Sequence, residues 1–284
     1  MTWVGCSIKE RFVNPLFELF EGGDFILSSH RDIEEPLARM RIYLEDAASA
    51  GEASAALRRA LDLVGIDTAI ETGEICDEDW HFSYRRHFKT EFVGERLVIV
   101  PQWEKVPEGD RLAIILDPGL AFGTGKHETT RACLEYIDEI ARTNGCEGSS
   151  FLDMGCGSGI LSIAAKKLGF SPVCGFDVDK EAVDASCENA AANGVDVDFM
   201  HYGLGSRTKP AFEPADMVVA NILGPLLIRF ADEIAPFAKK NLVISGILTE
   251  LYPEVLSAYE SRGFKEVSRK TIGEWTTGLL SACR

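Results

Sequence analysis

Apolar positions along the first seventy residues alternate between strand and helix patterns over short distances. Residues 3–8 read as a strand, and Asn14 followed by Pro15 reads as an N-cap with proline in the first turn, opening a short helix that runs to Phe20 and stops at Gly22 and Gly23. Residues 25–27 and 39–44 read as two further strands. Leu57, Ala60, Leu61 and Val64 recur at i, i+3, i+4 and i+7, which is one face of a helix, and Gly65 follows as its C-terminal stop. Residues 66–70 supply a last strand, giving the βαββαβ order of a ferredoxin-like α+β unit. Residues 77–93 break the pattern. Trp80, Phe82, Tyr84, Arg85, Arg86, His87, Phe88 and Phe92 follow neither period, as expected of an interdomain connector.

Beyond Arg96 the periods lengthen and alternate regularly. Strands are predicted at 97–100, 113–116, 151–154, 173–178, 197–200, 217–222 and 242–247, with helices at 129–142, 160–168, 180–192, 226–238 and 254–261, and strands 264–270 and 277–282 at the end. The 129–142 helix has Cys133, Ile137 and Ile140 on one side; the 226–238 helix buries Leu227, Phe230, Ile234 and Phe237. Such alternation predicts an α/β fold, a parallel sheet with helices on both faces. The expected organisation is 1–76 as the small N-terminal domain, 77–95 as connector and 96–284 as the α/β domain.

Composition narrows the class. A chain of 284 residues with 46% hydrophobic and 26% charged residues has length for about two domains and enough apolar surface for real cores. No apolar run approaches the roughly 18 residues that cross a bilayer, and Lys9 and Glu10 fall where a signal peptide needs its apolar stretch, so a cytoplasmic protein without membrane contact is expected. None of the eight cysteines forms a C-x-x-C pair, which argues for free thiols rather than a metal knuckle, and no metal is expected. The 29 basic against 45 acidic residues leave a net charge of −16, which disfavours nucleic acid as a direct partner and favours a basic protein. The imbalance is steepest in residues 1–79, with 7 basic and 17 acidic side chains.

The strongest chemical signal is Phe151-Leu-Asp-Met-Gly-Cys-Gly-Ser-Gly159. Gly155, Gly157 and Gly159 at a strand end let a ligand approach the backbone, and the helix that follows offers unpaired N–H groups. The spacing is G-x-G-x-G, not the G-x-G-x-x-G of dinucleotide folds, and with Asp153 two residues ahead it resembles the first motif of class I S-adenosylmethionine methyltransferases. Asp177 ends the next strand about 20 residues on, where an acid accepts from two ribose hydroxyls; the alternative is a helix cap, a role for which Asp179 is better placed. Asn221 ends the 217–222 strand, where its carboxamide holds cofactor or orients an amine, unless it serves only the turn. Upstream, residues 116–131 form a glycine-rich loop carrying Phe122, Thr124, His127, Thr129 and Thr130, read as folding over the cofactor. His127 is a candidate base for the amine, or else a brace for its own loop.

That loop, the glycine motif, Asp177, Asn221-Ile-Leu223, Ser245-Gly-Ile-Leu248 and Gly273-Glu-Trp275 together resemble the ribosomal protein L11 methyltransferase family (PrmA). The likeness runs from about Asp77 to the end, through Asp79-Trp80 and Gly94-Glu-Arg-Leu-Val-Ile-Val-Pro-Gln-Trp103. It implies a class I (Rossmann-like) methyltransferase domain behind a ferredoxin-like substrate-recognition domain, with S-adenosylmethionine as cofactor and contacts at Thr130, Gly155, Asp177 and Asn221. It also implies transfer of methyl groups to lysine side chains and an N-terminal amine of a ribosomal large-subunit protein; a monomer is expected. The alternatives are a lysine methyltransferase for another protein, such as an electron-transfer flavoprotein subunit, and a cofactor-binding regulator without turnover.

Overall fold

The structure is a computed structural model that describes residues 2–9, 12–20, 25, 27–30, 37–44, 47–74, 89–116, 128–143, 145–206 and 212–283. The chain divides into two compact units, Met1–His87 and Phe88–Arg284.

In the first unit the elements run β1 (Thr2–Lys9), α1 (Val13–Phe20), β2 (Leu27–His30), β3 (Leu37–Leu44), α2 (Ala50–Leu63) and β4 (Glu71–Glu74), with strands in the order β2-β3-β1-β4. All three pairings are antiparallel. Strand alternation sends Val4, Cys6 and Ile8 of β1 and Met40, Ile42 and Leu44 of β3 to one face, where they meet Leu16 of α1 and Leu57, Ala60 and Leu61 of α2. Three local expectations shift. Helix α1 begins at Val13, so Asn14 lies in its first turn instead of capping it, and Pro15 sits where its missing N–H would have had no helical partner. The runs 25–27 and 66–70 shift toward the following residues: Phe25, Ile66 and Ile70 pack at the core margin, while β2 takes up pairing at Leu27, the last residue of the first run, and β4 at Glu71. Gly65, at φ +70°, turns the chain out of α2, and the ladder to β1 forms only where Glu71–Glu74 meets residues 2–5. Gly22 and Gly23 fall outside the described residues, as does the part of the connector before residue 89.

The second unit opens inside the span expected to be connector. Strand β5 (Glu91–Val93) pairs with β6 (Leu97–Pro101), which runs parallel to β7 (Leu112–Leu116) in a sheet of three. Its turn is locked by Asp138, a buried acid that accepts from the Glu95 N–H at 2.7 Å and from the Arg96 guanidinium at 2.7 Å.

The main sheet has seven strands: β8 (Phe151–Met154), β9 (Val173–Asp177), β10 (Asp198–His201), β11 (Ala215–Asn221), β12 (Ala238–Leu248), β13 (Phe264–Ile272) and β14 (Trp275–Ala282), in the order β10-β9-β8-β11-β12-β14-β13. The five strands from β10 to β12 are parallel, and β14 is antiparallel to both of its neighbours. Helices α3 (Glu128–Thr143), α4 (Ile160–Leu168) and α5 (Lys180–Ala192) contribute to the core on one face, whose members include Leu134, Ile137, Ile163 and Ala190. Helices α6 (Gly224–Arg229), α7 (Ala231–Ile234) and α8 (Tyr252–Glu260) build the core on the other, with Leu227, Ile234, Val255 and Tyr259. The single helix predicted over 226–238 is therefore broken. The Leu227 carbonyl accepts from the Tyr259 hydroxyl at 3.1 Å, Phe230 leaves helical geometry at φ −104°, ψ 16°, and Pro236 belongs to a 3-10 turn.

Candidate active site

Parallel strands place all their carboxyl ends on one edge, and in open α/β sheets that edge is where ligands bind. Here the ends of β8, β9 and β11 carry the glycine motif, Asp177 and Asn221. After β8 the chain turns sharply through Gly155, Gly157 and Gly159, at φ +77°, +53° and +77°. Gly155 and Cys156 both donate their N–H to the Phe176 carbonyl at 2.9 Å, which ties the turn to the end of β9. A Cβ on Gly155 would stand 2.6 Å from Cγ2 of Ile222, so only glycine keeps the turn this close to the end of β11. Gly159 is the N-cap of α4 and lies against Ser186 and Phe199.

Asp177 faces this turn. Its Oδ2 accepts from the Gly157 N–H at 2.9 Å and its Oδ1 from the Asp179 N–H at 3.0 Å. Each carboxylate oxygen retains a lone pair for a hydroxyl. Asp179 caps α5, accepting from the Glu181 N–H at 2.9 Å, so the helix-capping role falls to it and not to Asp177. Across the edge, Asn221 Nδ2 donates to Thr130 Oγ1 at 3.4 Å, joining the end of β11 to the first turn of α3. The structure thus draws Thr130, Gly155, Gly157, Gly159, Asp177 and Asn221 into one connected set. Phe122 and His127 lie outside the described residues.

Two features rest on residues that the sequence reading quoted only as parts of motifs, without a role. Beneath Thr130, the buried Ser245 hydroxyl shares a 2.6 Å hydrogen bond with Thr277 and donates to the Thr129 carbonyl at 3.4 Å, bracing α3 against β12 and β14. The signal was available, since Ser245 interrupts the apolar run Leu242-Val-Ile-Ser-Gly. The second is a cleft of about 490 Å³ beyond the carboxyl end of β12, lined by Leu248, Thr249, Glu250, Thr271, Gly273 and Glu274. It joins the end of β12 to the end of β13 and the hairpin tip that follows, and no local pattern reports that closure.

The strand order, the antiparallel β14 and the glycine turn answered by an acid on the neighbouring strand define a class I S-adenosylmethionine-dependent methyltransferase fold. Residues 24–281 match the family described as "Ribosomal protein L11 methyltransferase (PrmA)", and the chain belongs to that family. It is 45% identical over 190 residues to the ribosomal protein L11 methyltransferase of Azotobacter vinelandii, covering 66% of this chain and 62% of that protein. It is 39% identical over 215 residues to the one from Caldanaerobacter subterraneus subsp. tengcongensis, covering 74% and 67%. The chain thus spans somewhat under two thirds of the first of these relatives and about two thirds of the second. Among solved structures it resembles the ribosomal protein L11 methylase of Lactobacillus delbrueckii subsp. bulgaricus, with a TM-score of 0.62 and 31% identity over 69% of this chain and 100% of that one.

S-adenosylmethionine is the cofactor that this family and fold specify. The residues present fit it: a turn of positive-φ glycines at the strand end that keeps side chains off the backbone, acceptors at Asp177 for ribose hydroxyls, and acids without a described cation beside them for a ligand bearing sulfonium and ammonium charges.

Proposed function

We propose that this protein transfers methyl groups from S-adenosylmethionine to amines of a ribosomal large-subunit protein, namely lysine side chains and the N-terminal amine. The observation that carries this reading is the Asn221–Thr130 contact at the same strand edge as the Gly157–Asp177 pair. When bound, the cofactor supplies an electrophilic methyl group that an amine takes in line, with no covalent enzyme intermediate. The glycine turn admits the cofactor to the backbone, and Asp177 accepts from its ribose. Asn221 commits its Nδ2 to Thr130, and its carbonyl oxygen, without a partner among the described residues, is the group to orient an amine that has lost its proton. A lysine with a pKa of about 10.4 is protonated at neutral pH, so an uncharged acceptor at this point favours the reactive form.

The cleft beside β12, lined by Leu248, Glu250 and Glu274 among others, suits a lysine's aliphatic stem and a cationic segment around it. The N-terminal domain, residues 1–76, is the proposed recognition module for that basic protein, and the transferase domain takes in β5 together with residues 96–284. The test is incubation with methyl-labelled S-adenosylmethionine and a mixture of large-subunit ribosomal proteins, followed by mass spectrometry. Label on lysines or the N-terminal amine of one ribosomal protein is expected. Label only on another protein, such as an electron-transfer flavoprotein subunit, would replace the substrate, and cofactor binding without transfer to any protein would leave a regulator.

A further inference from the structure

Asp153 lies on β8, two residues before the glycine turn, and is completely buried. Its Oδ2 accepts from the Ser162 hydroxyl on α4 at 2.8 Å, while its Oδ1 is buried with no hydrogen-bond partner. A carboxylate with an unsatisfied buried oxygen is costly, whereas a neutral carboxyl tolerates the place much better. On either side in the sheet stand Gly175 of β9 and Val219 of β11, neither of which brings a charge. Among the described residues, the titratable groups that act on Asp153 or respond to it are Cys133 from α3, Cys156 from the turn and Asp177 from the end of β9, none of them a cation. Burial pushes the carboxyl up to about 7, with Ser162 opposing the shift and Asp177 adding to it. Burial also pushes the thiols of Cys133 and Cys156 up, so both stay neutral at that pH.

We propose that Asp153 couples cofactor binding to proton release: it is a neutral acid in the free protein and ionises when a cationic cofactor occupies the adjoining glycine turn. This rests on the S-adenosylmethionine reading of the site. The balance is simple. Protein carboxylic acid plus cationic cofactor gives protein carboxylate paired with that cation, plus one proton to solvent. The demethylated product lacks the sulfonium charge and stabilises the carboxylate less, so product formation returns part of the proton and the coupling favours fresh cofactor over product more strongly as pH rises.

The test is calorimetric titration of the full chain with S-adenosylmethionine at pH 7 in phosphate and in Tris, whose ionisation enthalpies differ, and then from pH 6 to pH 8.5. Expected are a buffer-dependent enthalpy reporting up to about half a proton released at pH 7, and affinity that climbs with pH and levels off above Asp153's own titration. S-adenosylhomocysteine should release less. D153N should bind with buffer-independent enthalpy and a flat pH profile. Identical enthalpies in both buffers, or a D153N protein that keeps the linkage, would overturn the coupling while leaving the cofactor reading intact; no binding of either ligand would overturn the cofactor reading itself. If D153N does not fold, infrared spectroscopy of the wild type decides. The carbonyl band of a buried carboxylic acid should vanish on adding cofactor, and its absence from the free protein would refute the proposal.

Discussion

The two edges of the seven-stranded sheet each hold an aspartate on a central strand, and the two are treated oppositely. At the amino edge, Asp216 of β11 accepts from the Ser150 N–H at 3.0 Å, the Ser150 hydroxyl at 2.8 Å and Lys240 Nζ at 2.9 Å. Its own N–H donates back to Ser150. The Ser150 N–H first, then Lys240, holds its carboxyl down at about 2. At the carboxyl edge, Asp153 of β8 is deeper, has one oxygen unpaired and has its carboxyl pushed up to about 7 by burial. At the amino edge Asp216, Ser150 and Lys240 answer one another. The carboxyl edge keeps an orphaned buried oxygen beside its glycine turn, which is how a sheet prepared for a ligand differs from one that only holds together.

The comparison is broken most severely by Gly157→Val. A β-branched residue at φ +53° is strained, and its side chain enters the space reserved for the cofactor, so S-adenosylmethionine binding should fall below detection by calorimetry while circular dichroism stays near wild type. Normal binding by a folded variant would make this turn purely structural. Asp177→Ala should weaken cofactor binding by about 1 to 3 kcal/mol, because the ribose loses a charged acceptor and the Gly157 N–H loses the partner that fixes the turn. Unchanged affinity would remove Asp177 from the site.

The amino edge should respond in stability, not in binding. Asp216→Ala should cost about 2 kcal/mol in urea unfolding at pH 7 and leave cofactor affinity untouched. The sign follows from a folded value below the ordinary carboxylate value. Stability from Asp216 is fully present above about pH 4 and fades as pH falls toward 2, so wild type and variant should converge there. Asp153 runs the other way, since a raised folded value makes the free protein lose stability as pH climbs from about 4 to 7; a D153N variant should lack that slope. The smallest effect sharpens the catalytic assignment. Asn221→Ala should lower kcat about tenfold with little change in the KM for protein substrate, and an unaltered kcat would take Asn221 out of the amine's path.

The sequence by itself determined most of the second unit. Residues 151–154, 160–168 and 180–192 are strand and helices as their periods require, because a buried strand flanked by glycines and helices with one apolar face carry their signals locally. The glycine spacing and the acid about 20 residues later were legible for the same reason, since both belong to a single strand–turn–helix–strand unit. Tertiary structure decided what depends on partners distant in sequence. Residues 66–70 are as apolar as a strand yet unpaired, because β1 offers its ladder to Glu71–Glu74; the helix at 226–238 breaks where Tyr259, far along the chain, takes the Leu227 carbonyl. The charge state of Asp153 is of the same kind. Its letter is an ordinary aspartate, and only folding removes water, sets Ser162 against one oxygen and leaves Oδ1 buried without a partner, so its raised pKa is a property of the packed sheet and not of the residue.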